Sequence, residues 1–518
     1  MEKSLEAAAA APARLAPRQG RGEALRRSLD SGLATLTARA EREAFLVVLF
    51  VIYLIGAAHN MPSQVAADTW MMLAYGREIV HHGLPSHDTL TIWAHGRPWV
   101  DQQWLGQLLT YGLFTLGGIR AVLAANVLAL GAGTGLALVA ARRLGGSPRT
   151  VTWLALLTFV VIALSSWTAR TQSLVFALFV AVLWLLAADS RSPSRRVLLT
   201  LPLLVLWANL HGSAVLGALL IALRGGSMLL ERSRPLRSRL PIAAALLSSP
   251  VLLFASPYGF ALVGYYHKLL INPAFGRYLS EWTPTRFGLV TAPFYFVGLL
   301  AVWLAGRSAV RLTMFEQGAL LALFVSALMA NRGVVWFMLS ALVLLPAALD
   351  GVLASRWGAT RYRHTNTIMA LAAPVVGVVA VGLSLAHPTS WLTSGFPKTA
   401  GERVARMAAA DPRVRIFANE RFADWLILEH PALAGRVAFD GRFELLTPGE
   451  LASISHFRGR VAGSTRVTRG YGLLVLDPAT QADGHAVSAL LADRSRHVRY
   501  RGRDLVVISQ PSPREGSS

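Results

Sequence analysis

The sequence predicts an α-helical polytopic membrane protein with a small α/β domain after the last span, and three observations carry that prediction. Hydrophobic residues make up 54% of 518 positions and charged residues 15%, a balance too apolar for a soluble globular chain. The apolar residues gather into runs that, with tilt and flanking residues, approach the ~20 residues a membrane span needs. From about residue 388 the composition changes to that of a soluble domain, with short apolar stretches alternating with amphipathic ones. The net charge of +22 would suit nucleic acid, yet the basic residues fall in short clusters between apolar runs, as retention of Lys and Arg on the cytoplasmic side predicts. No nucleic-acid partner is therefore expected. The chain has no cysteine, which excludes disulfides, thiolate metal sites and Cys nucleophiles.

Residues 1–43 are Ala- and Arg-rich with mixed charge and no apolar core. They read as a flexible, partly helical cytoplasmic tail and not as a cleaved signal. Residues 44–59 form the first span, and 60–118 a long polar, aromatic-rich loop of the kind that usually binds or reacts. The last part of that loop, Trp104 to Leu116, is apolar but short and bounded by Gly117-Gly118, so an interfacial helix is expected there. Further runs cover 119–141, 150–166 and 173–188. The run 197–223 is interrupted at Asn209-Leu-His-Gly212. Arg195 and Arg196 precede it and Arg224, Arg232, Arg234, Arg237 and Arg239 follow it, so both ends belong in the cytoplasm and two short helices should meet at a polar apex on the opposite side. Runs at 240–256, 290–306, 313–330, 333–349 and 367–386 complete 11 crossings. Arg307 and Arg311 occupy one connection and Arg356 to His364 another.

This topology places the transmembrane domain at 44–387, with the N-terminus inside, an extracytoplasmic α/β domain at 388–510 and a disordered tail at 511–518. Strands are expected over 414–417, 436–439, 472–476, 498–500 and 505–508, with helices over 422–429 and 486–491. Asp440-Gly-Arg442 reads as a turn, not a phosphate loop. The same topology gathers on one side the polar residues that play no part in it. The first loop, Arg170-Thr-Gln172, Asn209-Leu-His211, Ser256-Pro-Tyr-Gly259 through Glu281-Trp282, Asn331-Arg332 and everything after His387 all fall on one side.

Asp68 is the leading catalytic candidate. A carboxylate just beyond a span can take a proton from an acceptor hydroxyl or amine while a lipid-borne donor lies alongside; its other reading is a cap for the helix starting at Thr69. Asp88 and Asp101 fit turns or caps as well as substrate contacts. Arg170 and Arg332 carry positive charge on the side where topology does not favour it, which asks for either a phosphate ligand or an ion pair. His211, at the broken-helix apex beside Asn209, suits a phosphate or sugar hydroxyl, or its own backbone neighbours. Trp70, Tyr258, Glu281 and Trp282 are candidate substrate contacts, with an interfacial aromatic belt as the other reading of the rings. No cofactor follows from the sequence. His81-His82, His87 and Asp88 lie close in sequence, but adjacent His residues on a helix point apart, so no metal site is assigned, while a divalent ion stays compatible with the loop.

Asp68-x-Trp70, Gly76, Gly83-x-Pro85, Asp88-x-x-Thr91, Gly96-x-Pro-Trp99 and Trp104-Leu105 resemble the first external loop of GT-C superfamily glycosyltransferases. That superfamily includes protein O-mannosyltransferases and lipid A aminoarabinose transferases. Trp207-x-Asn-Leu-His-Gly212, Pro257-Tyr-Gly259 with Glu281-Trp282, and the external C-terminal domain extend the resemblance. It implies an enzyme of a bacterial plasma membrane that moves a sugar from a polyprenyl-phosphate carrier to a lipid, glycan or protein acceptor on the outer face, usually with inversion. Asp68 takes the position of the loop acid that acts as base or orients the acceptor. Several GT-C families carry two adjacent acids there; here Asp68 is followed by Thr69. A lipid or glycan transporter, or a non-catalytic envelope assembly protein, is the alternative, and a transporter predicts repeats and midplane charges.

Overall fold

The structure is a computed structural model that describes residues 19–165, 167–231, 235–307, 312–353, 363–459, 464–479 and 481–511. The expectations resting on residues 1–18, Arg232, Arg234, Arg311, 354–362 and 512–518 lie outside that set. Among the described residues, seven helices are long and apolar enough to cross a membrane, where eleven crossings were expected; three shorter apolar ones are Ala214–Leu230, Ala292–Ala305 and Met314–Met329, and Thr200–Leu210 occupies the first half of the run 197–223. The first span is the end of a longer helix, Gln19–His59.

Local sequence explains the two breaks that matter. The helix Trp104–Arg143 is interrupted where Gly117 and Gly118 leave helical geometry, with φ at Gly118 of 62°, a left-handed value that costs glycine nothing. The interfacial segment and the following span are thereby set at an angle. The run 197–223 divides at His211 into Thr200–Leu210 and Ala214–Leu230, as its flanking arginines require. A Cβ on Gly217 would lie 2.6 Å from the Trp207 ring, so glycine is what lets these two short helices close on each other.

The loop helix Ala67–His82 lies against Trp104–Arg143. Gly76 permits this, because a Cβ there would sit 2.4 Å from Gln107 O and 2.5 Å from Tyr111 Cβ. The C-terminal domain carries a four-stranded sheet in the order β1-β2-β4-β3. Its strands are β1 Ile416–Ala418, β2 Leu473–Leu476, β3 His497–Arg501 and β4 Val506–Ser509; β1 pairs parallel with β2 and the other pairs are antiparallel. The fifth stretch, 436–439, forms bridges to Ile416 and Thr91 through Val437 but no full strand. Its partner on that side is the first loop: Ile92 N donates to Val437 O (2.8 Å), Trp93 N to Ala438 O (2.9 Å) and Gly435 N to Leu90 O (2.8 Å). Arg97 adds a bidentate pair to Glu450 at 2.7 Å, and Trp93 Nε1 donates to Tyr471 OH at 2.7 Å. Loop and domain are one block, because backbone groups that the loop could not pair internally are paired by the domain.

Candidate functional site

A cavity of about 600 Å³ opens between this block and the ends of the spans. Asp68, Asp101, Arg170, His211, Glu281, Trp282 and Arg332 all line it. Seven residues separated by up to 264 positions in sequence therefore meet at one end of the bundle.

Asp68 enters from the first turn of the helix Ala67–His82, where a carboxylate also complements the helix dipole. It is not the cap. Thr69 Oγ1 accepts from Ala66 N at 3.1 Å, while Asp68 turns outward and accepts from Arg170 Nη1 at 3.4 Å. Thr69 itself is fully buried and donates to Ala169 O at 2.8 Å, and Ala169 N donates to Gln64 O at 2.9 Å. An acid at position 69 would face that packed joint and not the cavity, so the single acid here is a consequence of the local packing.

Arg170 bridges two carboxylates, adding Glu281 Oε1 at 3.1 Å. Arg170 thus forms the ion pair that one of its two readings asked for. Asp68 is 38% exposed, but the exposure is to a recess deep in the protein; burial raises its pKa, Arg170 opposes that rise and Glu281 adds to it. For Glu281 burial also raises, yet the pull of Arg170 and Arg332 prevails and its pKa ends below the usual value. Arg332 differs from Arg170. Among the described residues it has no hydrogen bond or ion pair, and its guanidinium lies over the Trp282 ring at 4.5 Å, a stacking that holds a cation without neutralising it. An uncommitted, half-buried arginine at the cavity wall is equipped to take an anion.

His211 caps the helix Thr200–Leu210 and its Nδ1 accepts from Ser213 N at 3.1 Å. That bond assigns the ring proton to Nε2. Burial, with Arg332 and Arg170 nearby, pushes its pKa well below the usual histidine value, so His211 is a neutral donor. Asp101 is buried, accepts from Gln107 Nε2 at 2.8 Å, and its pKa is pushed up to about 7, mainly by burial.

Four other candidates do not reach the cavity. Asp88 is fully buried, accepting from Leu90 N, Thr91 N and Thr91 Oγ1 and pairing with Arg442 at 2.5 Å: it is a turn residue that also clamps the domain. Trp70 is buried against Phe396. Asn209 spends its amide on Val205 O and Ala255 O and its carbonyl on Trp104 Nε1. Tyr258 donates to Pro85 O at 2.9 Å, fixing the loop. All four place the site without lining it.

Sequence reading missed Arg442. It lines the cavity, pairs with Asp440 at 2.6 Å as well as Asp88, and lies between the rings of Tyr75 (4.6 Å) and Trp99 (4.1 Å). Behind it, Tyr75 OH donates to Asp424 Oδ1 at 2.9 Å, and burial raises the Asp424 pKa well above the usual value. Gln102, Gln107, Tyr265 and Glu444 also line the cavity. Two opposite charges around Gly441 in an otherwise apolar stretch were the signal available, and they looked like a turn. No cluster of three or more His, Asp or Glu residues with metal-site geometry occurs among the described residues.

No family model matches the chain, and no curated protein matches it. Solved structures do. The apo oligosaccharyltransferase of Archaeoglobus fulgidus superposes with a TM-score of 0.51 at 12% identity, covering 86% of this chain and 73% of that one. The same enzyme tethered to an acceptor peptide containing the NVT sequon gives 0.50 at 13% identity, covering 82% and 69%. ArnT from Cupriavidus metallidurans bound to undecaprenyl phosphate gives 0.47 at 17% identity, covering 92% and 98%. The architecture found is the helical bundle with a small C-terminal sheet domain that the sequence predicts, and the Archaeoglobus fulgidus oligosaccharyltransferase shares that fold.

Proposed function

We propose that the chain is an integral-membrane glycosyltransferase that moves a sugar from a polyprenyl-phosphate donor to an extracytoplasmic lipid, glycan or protein acceptor. The observation that carries the reading is the pairing, in one cavity at the membrane end of the bundle, of Asp68 with Arg170 and Glu281 and of an uncommitted Arg332 with Trp282. The fold shared with a known glycosyltransferase supports it.

In this reading the donor phosphate lies against Arg332, with Nε2–H of His211 as a neutral donor and Arg170 behind. The acceptor oxygen attacks the anomeric carbon from the Asp68 side. The bond from that carbon to the phosphate oxygen breaks, its electron pair leaves with the phosphate, and the acceptor proton passes to Asp68. Burial raises the Asp68 pKa, which brings its basicity closer to that useful near neutral pH, while Arg170 keeps the carboxylate oriented. The cations act where negative charge grows during bond cleavage. No step requires a metal.

Asp68→Asn, reconstituted in liposomes with its fold verified by an unchanged melting temperature, is expected to lose transfer from a radiolabelled polyprenyl-phosphate sugar at least about a hundredfold. Transfer at the parent rate would remove Asp68 from the chemistry.

A further inference from the structure

A second recess lies at the opposite end of the bundle. Thr200–Leu210 ends and Ala214–Leu230 begins beside the His211 turn at the cavity, so the start of the first helix and the end of the second mark the far end. A pocket of about 230 Å³ opens there, lined by Arg195, Arg224 and Arg239 and by Asp189 and Glu231. It is smaller than the ~300–1,000 Å³ of sites that enclose drug-sized ligands, and so has room for a headgroup but not for a whole lipid.

The five charges are not equivalent. Arg224 is fully buried and is committed to the acids: its Nε lies 2.8 Å from Asp189 Oδ2 and its Nη1 pairs with Glu231. Asp189 Oδ1 also accepts from Ser194 N at 2.7 Å. Arg195 and Arg239 have no carboxylate partner among the described residues. Arg239 donates through Nη1 to Met228 O at 3.0 Å, while Arg195 is exposed. Three arginines against two carboxylates leave one net positive charge on the pocket, and it belongs to the two arginines that no acid neutralises. Retention of positive charge on one side of a membrane asks for arginines at such an end, but it does not ask for a recess between helices or for the rim that this one has. Leu199, Leu230, Leu236 and Leu240 are all exposed, each within four residues of a lining residue, and Leu236 and Leu240 share a face one helical turn apart. A basic pocket thus opens onto an apolar border.

We propose that this pocket holds the phosphodiester headgroup of an anionic phospholipid, whose acyl chains lie along Leu199, Leu236 and Leu240. Arg195 and Arg239 donate charge-assisted hydrogen bonds to the phosphate oxygens, and the single negative charge of the diester matches the excess charge of the pocket. A headgroup that adds a cation, such as choline or ethanolamine, brings it among three guanidiniums where both carboxylates are already taken by Arg224, so a zwitterionic lipid is disfavoured. A soluble phosphate would meet the same arginines but leave the leucine rim uncovered, which makes a lipid the source of the phosphate. The site lies at the far end from Asp68 and stands apart from the glycosyltransferase reading.

Native mass spectrometry of the full chain in detergent, titrated with phosphatidylglycerol, phosphatidylethanolamine or phosphatidylcholine of identical acyl chains, tests it. Phosphatidylglycerol is expected to bind about tenfold tighter than either zwitterionic lipid, and millimolar inorganic phosphate is expected not to displace it. Arg195→Gln changes an exposed side chain, so its melting temperature should match that of the parent while most of the preference is lost. Arg237→Gln removes an exposed arginine that does not line the pocket and should leave the preference intact. Equal binding of the three lipids overturns the proposal, and displacement by inorganic phosphate overturns the lipid as the source. An equal loss in the Arg195 and Arg237 variants also overturns it, because the attraction would then belong to the whole basic surface and not to the pocket.

Discussion

Replacing Arg170 with Gln removes a charge from between two carboxylates while keeping a polar, neutral amide on a shorter stem. Arg170 Nη1 is 3.4 Å from Asp68 Oδ2 and 3.1 Å from Glu281 Oε1. At 3.4 Å the attraction is about 5 kcal/mol for an effective dielectric of 20 and about 1 kcal/mol in bulk water. Asp68 and Glu281 are 38% and 52% exposed to the cavity, which screens them and puts the pair toward the lower part of that range, about 2 kcal/mol. Losing that much stabilisation of the charged form raises the Asp68 pKa by about 1.5 units, and the freed Glu281 pushes in the same direction. A base must be ionised to act, so the acid limb of kcat/KM should move to higher pH by about that amount, with activity lost most at low pH and partly regained at high pH. Initial rates of sugar transfer in proteoliposomes over a pH series from about 4 to 9, starting near the ordinary carboxylate value, measure it. An acid limb displaced by less than about 0.3 units, or displaced downward, refutes the coupling between Arg170 and the working base.

Asp101 sets a second pH response, read as stability. Its folded pKa, raised to about 7 mainly by burial, lies above the value in an unfolded chain, so the fold favours the protonated form. The contribution is fully present below the unfolded pKa and is lost as pH rises through about 7. Asp101→Asn should therefore flatten the decline in melting temperature between acid and neutral pH, by about 1–3 kcal/mol; a slope identical to that of the parent would contradict it. Arg442→Met leaves Asp88 and Asp440 buried without their cation and should cost about 3–5 kcal/mol, detected as a lower melting temperature and as proteolytic cleavage between the first loop and the sheet domain.

The bundle was legible because hydropathy and arginine placement are one-dimensional signals. Arg195 and Arg196 before one apolar run and Arg224 after it were enough to place the turn at His211. The ion triad was half legible: Arg170 looked misplaced for topology, which showed that it had a partner but not that the partners were Asp68 and Glu281, 102 and 111 positions away. Trp70, Asp88, Asn209 and Tyr258 share polar or aromatic chemistry with the lining residues and differ from them only in which way they face, and facing is decided by packing such as the approach of Gly76 to Gln107. Arg442 was invisible for the opposite reason. Its three-residue context is an ordinary turn, and its importance comes from Tyr75, Asp88 and Trp99, all of which lie more than 340 positions earlier.

Thr69 and Ala169 tie together the two chain segments that carry Asp68 and Arg170, each at the residue next to the charged one. The backbone N–H of Ala169 is held as well, by Gln64. Both partners of the ion pair thus ride on one small rivet rather than at the tips of two separately anchored spans. A bilayer that thins, thickens or tilts the first span against its neighbours strains the long levers on either side of that rivet and carries the charged pair along as a unit. The distance between Asp68 and Arg170 is mechanically insulated from the lipid around the spans.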